Sequence, residues 1–188
     1  MNSSVKKEVV EVLKASYNAV REDDVKAIRD ESNNLIQSAS LYQDESVIAV
    51  SVILYGLSKI YERSDYRGYP EWEEFHENVL LCLKQAYLHL INNEDAKYIS
   101  ALGKLLSSID KLGSKLKKYI KDVMDKAHIS KASRFYEHGV SVGRTAKLLG
   151  VSSWDLMDYV GGTGIADVEE NITQNVFKRI KFTRGLFK

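Results

Sequence analysis

The sequence predicts an all-α protein. An N-terminal multi-helix bundle comes first, then a small tri-helical helix-turn-helix unit, then an amphipathic basic C-terminal tail. Three observations lead there. Pro70 is the only proline in 188 residues. Strand signals are almost missing, with no Asn-Gly or Asp-Gly hairpin turn and little clean alternation. Apolar residues recur at helical spacing along nearly the whole chain.

The elements follow in order. Val5, Val9, Val12, Leu13 and Val20 fall broadly on one stripe of a first helix. Val25, Ile28, Leu35 and Ile36 do the same in a second. Ser46 is placed to cap a third helix running through Ile60, and its apolar run at 47–57 suits a buried helix rather than a membrane span. Pro70 suits the first turn of a fourth helix, with Glu71, Glu73 and Glu74 complementing the positive end of its dipole. That helix should reach about Ile91, and a fifth should span 95–111. Gly113 interrupts. Leu116, Ile120, Val123 and Ala127 then line one side of a further helix that Gly139 closes. The expected domains are a bundle over 1–125, a helix-turn-helix unit over 126–165 and a tail over 166–188.

Composition bounds the class. With 44% hydrophobic and 28% charged residues, the chain suits one or two soluble globular domains. The single cysteine, Cys82, excludes an internal disulfide framework and a multi-cysteine zinc site, and fits a reducing cytoplasm. The start is charged and lacks the apolar run of a signal peptide, so a cytoplasmic protein is expected, with no membrane partner. Charge is uneven: residues 1–94 carry 10 Lys/Arg against 16 Asp/Glu, and residues 95–188 carry 17 against 10. This asymmetry fits docking within the molecule, contacts in a homodimer, or a basic surface for an acidic partner. Ordinary solvated helix faces are the plainer account.

The stretch 140–162, VSVGRTAKLLGVSSWDLMDYVGG, has the spacing of two short helices joined by a tight turn. Ala146 stands where a small side chain lets helices cross closely, and Gly150 at a turn that favours positive φ. Leu149, Val151, Leu156 and Tyr159 fall at the buried positions. Ser141 can cap the first helix, and Ser152, three residues before Asp155, opens the second. A DNA reader would place the exposed face of the second helix in the major groove. That face offers Ser152, Ser153, Trp154, Met157 and Asp158, without the Arg, Lys, Asn or Gln that read purines. Phosphate contacts would come from Lys131, Arg134, Arg144 and Lys147, giving salt-sensitive, weakly selective binding. Solvating charge is the alternative account of those four. Trp154 and Met157 suit a pocket on a partner protein.

Segment 132–165 resembles the small prokaryotic antitoxin-like helix-turn-helix proteins that neighbour PIN-domain toxins. Tyr136, Gly139, Ser141, Ala146, Gly150, Val151, Ser152 and Trp154 match their pattern, and Thr145 replaces the first alanine of a pair. The resemblance implies an antitoxin or a transcription-regulator-like protein whose tail grips a toxin. Those proteins are short, and the N-terminal bundle lies outside the resemblance.

The tail has an independent signal. Val168, Ile172, Val176 and Ile180 recur every fourth residue beside Phe177, with Lys178, Arg179, Lys181, Arg184 and Lys188 at the basic end. Ile172, Val176, Phe177 and Ile180 are therefore candidate partner contacts, since an amphipathic helix can enter a groove on another protein. Folding back on its own bundle, or lying on a membrane surface, are the other readings.

Catalytic chemistry has little support. Glu73 and His76, and Asp125 and His128, repeat a Glu/Asp-x-x-His spacing found in di-iron bundles. Glu73 is already explained by the helix start, and Asp reaches less far. No nucleophile elbow, phosphate loop or dinucleotide fingerprint is present. The sequence thus points to a non-enzymatic helix-turn-helix regulator without cofactor, DNA-associated and antitoxin-like. The alternative is a protein-interaction adaptor, and the distant one a di-metal helical-bundle enzyme. In either of the first two, the bundle would serve a homodimer or dock a partner.

Overall fold

The computed structural model describes residues 3–162, and every described element is helical. α1 (Ser3–Arg21) buries Val5, Val9, Val12, Leu13, Ala19 and Val20, a stripe at helical spacing turned to the core. Asp23 takes a left-handed φ of 55°, and Asp24 then caps α2 (Val25–Tyr42) by accepting from the Ala27 N–H at 2.9 Å. α2 ends at Gln43, also left-handed. The cap of α3 (Glu45–Tyr61) is Asp44 rather than Ser46: the Asp44 carboxylate accepts the Ser46 N–H at 3.0 Å and its hydroxyl at 2.7 Å. Ser46 is thus a donor at the second position of the helix, and the Asp44 carboxylate outcompetes it as acceptor.

α3 is the central helix. Val47, Ile48, Val50, Val52, Ile53, Leu54, Leu57 and Ile60 are all buried, because α2, α6 and α7 pack on different sides of it. A short 3₁₀ turn (Ser64–Gly68) leads to α4 (Trp72–Ile91). Pro70 lies in the turn before that helix, not in its first turn, while Glu73 and Glu74 occupy the first turn as expected. α5 (Asp95–Ser108) pairs with α4 and passes into a 3₁₀ turn at Ile109–Lys111, where one helix to 111 was expected.

α6 (Ser114–Glu137) starts at Gly113 and stops before Gly139, whose φ is 85°. The expected boundary at 125/126 falls inside this unbroken helix, which holds neither glycine nor proline. Gly56 lets α3 approach α6 closely, since a Cβ there would run into the Met124 sulfur. One contiguous apolar core joins α1–α5 to Ala132 and Phe135 of α6 and on to Val140, Leu149, Leu156 and Val160. No helix among the described residues is long and apolar enough to cross a membrane.

Candidate interaction surface on the last three helices

The last three elements are the C-terminal part of α6, α7 (Val142–Leu149) and α8 (Ser153–Gly162), each packed on the other two. The local causes are visible residue by residue. Ser141 Oγ accepts the Arg144 N–H at 3.4 Å and starts α7. Gly150 ends it with a φ of 66°, and the N–H groups of Gly150 and Val151 both return to the Ala146 carbonyl. Ser152 Oγ then accepts the Asp155 N–H at 2.9 Å and starts α8.

Ala146, Leu149, Leu156 and Val160 form the inner side of the unit, against Ala132 and Phe135. Tyr159, expected at the last buried position, is half-buried, and Val160 takes the inner place because it stands one turn after Leu156. Val151, also expected inside, is half-buried in the turn. Thr145 is buried with its hydroxyl donating to the Val140 carbonyl at 3.4 Å. His128 Nδ1 lies 3.3 Å from the Leu149 carbonyl, so it donates and ties α6 to the end of α7.

The basic residues do not form one surface. Lys131 is 1% exposed, its Nζ donating to Asn33 Oδ1 at 2.9 Å and to the Ser32 carbonyl at 3.4 Å. It is therefore removed from the set of phosphate contacts: it faces Ser32 and Asn33 of α2 and the Tyr55 ring of α3, on which α6 packs. Arg134 is exposed but paired with Glu137 at 3.0 Å. Arg144 donates from Nε to Gln43 Oε1 at 2.8 Å, which ties α7 to the α2–α3 turn. Lys147 and Ser153 are exposed, and Ser152 is exposed but engaged as a cap.

The outer face of α8 is different in kind. Trp154 is 86% exposed and Met157 44%. Asp155 and Asp158 are exposed beside them, and α8 contains no Arg, Lys, Asn or Gln. The remaining partner candidates, Ile172, Val176, Phe177 and Ile180, lie outside the described residues.

Two hollows adjoin the unit. One, of about 120 Å³, lies between Ile48, Val52, Leu106, His128 and Leu149. The other is an open cleft with Asp125, His128 and Asp155 on its wall. Among the described residues, no group of three or more His, Cys, Asp or Glu side chains is placed to hold a metal ion. His76, singled out with Glu73, instead binds the Tyr61 hydroxyl through Nδ1 at 2.7 Å.

Sequence reasoning missed the inner role of Lys131 and the tie from Gln43 to Arg144. Small residues around Lys131 (Ser130, Ala132, Ser133) are the signal that could have marked a buried face. No family model, curated protein or solved structure matches the chain.

Proposed function

We propose that the protein is a non-enzymatic interaction module whose α8 holds a partner protein through Trp154 and Met157. The observation that carries this reading is the exposure of Trp154, 86%, on a helix face without a base-reading side chain. An indole in water gains from entering a pocket, and tryptophan is among the commonest anchors at protein interfaces. The flanking Asp155 and Asp158 favour a partner whose pocket has a basic rim. Under the antitoxin-like resemblance that partner is a toxin. Once a partner is identified, Trp154→Ala should weaken binding by about 2 kcal/mol or more in isothermal titration. Unchanged affinity would place the contact elsewhere.

Association with DNA is the second reading, and the exposure of Arg144 and Lys147 on α7 together with Ser153 favours it. Arg144→Glu with Lys147→Glu should then abolish a band shift that weakens steeply with salt. A band shift indifferent to both substitutions would remove this surface from DNA binding. Homodimerisation, suggested by the uneven charge, is checked by light scattering at two salt concentrations: a dimer held by charge dissociates as salt rises. A dimer indifferent to salt would rule charge out as its cause.

A further inference from the structure

Lys131 is the one lysine among the described residues whose side chain is almost wholly enclosed. It sits where α6 crosses α2 and α3. α2 offers it the Ser32 carbonyl and the Asn33 carboxamide. α3 offers the Tyr55 ring, with Nζ 4.9 Å from its centroid. The charges nearest it are cations that hold carboxylates of their own: Lys59 of α3 lies over the same ring at 5.8 Å and pairs with Glu62, and Arg134 of α6, paired with Glu137, repels Lys131. Among the described residues, no carboxylate forms an ion pair with Lys131. Neighbouring hydroxyls complete the junction, with Ser130 Oγ on the Tyr55 hydroxyl and Ser32 and Ser51 donating to each other's carbonyls. An enclosed ammonium without a counter-charge is costly, and losing its proton relieves the cost.

We propose that Lys131 makes the seating of the C-terminal part of α6, and with it α7 and α8, on α2 and α3 dependent on protonation. Burial first, and the Arg134 charge second, push the Lys131 amine down to about 7. When this contact opens, the amine meets water and returns to the ordinary lysine range. Opening therefore takes up a proton between those two values. The closed arrangement strengthens as pH rises from about 7 and is insensitive to pH below it. The inference stands whatever α8 binds.

Amide hydrogen exchange across α6–α8, corrected for the intrinsic pH dependence of exchange, reads this opening in the full chain. The opening constant should fall about tenfold per pH unit between pH 7 and 9 and level off below 7. In Lys131→Met it should be constant over that range. Amides of α1 should be better protected than those of α6–α8, because only the latter use the local opening. A flat natural chain, a Met variant with the natural slope, or equal protection in α1 and α8 would each overturn the proposal. The Lys131 Cε resonance gives a reading without substitution. A midpoint near 7 supports the proposal, and one in the ordinary lysine range overturns it.

Discussion

Trp154 and Lys131 are two residues whose types and surroundings disagree. An indole stands in water, and an amine stands in the core. Trp154 was legible in the sequence because its position after the Ser152 cap places it opposite Leu156 on the helix surface. Lys131 was not, since its burial depends on α3 and on α2, whose Ser32 and Asn33 stand 99 and 98 residues earlier in the chain. Local spacing cannot report such a contact. Replacing Lys131 by Met removes the desolvation of an ammonium, and exposed Asn33 can turn to water. Stability near pH 7 should rise by on the order of 1–3 kcal/mol in urea unfolding. A loss would mean that the hydrogen bonds outweigh the burial. At Gly150 a Cβ meets no atom within 4 Å, so Gly150→Ala tests the φ of 66° alone. It should cost about 1 kcal/mol by the same measurement.

Most elements end where punctuating residues stand. Gly113, Gly139 and Gly150 each mark a helix boundary, and the spacing of apolar residues selected the buried side of α1 and α2 correctly. The misplaced details were local competitions. Asp44 displaced Ser46 as cap, and Val160 displaced Tyr159 inside. Neither could be decided from spacing, because adjacent residues satisfy the pattern almost equally well. Ser152 is the device that fixes where α8 begins, and with it the direction of Trp154. Ser152→Ala should destabilise the chain by about 1 kcal/mol. It should also weaken partner binding less than Trp154→Ala does, which separates positioning from contact. Leu156, wholly buried, is the anchor of α8, and Leu156→Ala should cost about 2–5 kcal/mol in chemical unfolding.

At the scale of the whole molecule, the first two of the three expected parts share a single apolar core among the described residues. α6 runs unbroken from its packing on α3 to its packing on α7 and α8, and Leu149, Leu156 and Val160 belong to the same cluster as Val9 and Leu83. Local pattern could not show this, because a helix without a breaker carries no mark of where its neighbours change. A continuous core should unfold in one cooperative transition, with fluorescence and circular dichroism giving coincident curves. Two separated transitions would show independent domains. The same architecture packs α8 on α6 and α7, so that in the closed arrangement its outer face presents side chains that are already ordered.

The most direct test of that presentation is a photo-reactive residue at Ser153, beside Trp154, in the full chain within its native cells. The expected result is an adduct to one protein that disappears when Trp154 is changed to alanine. Adducts to nucleic acid, or a protein adduct indifferent to Trp154→Ala, would contradict it.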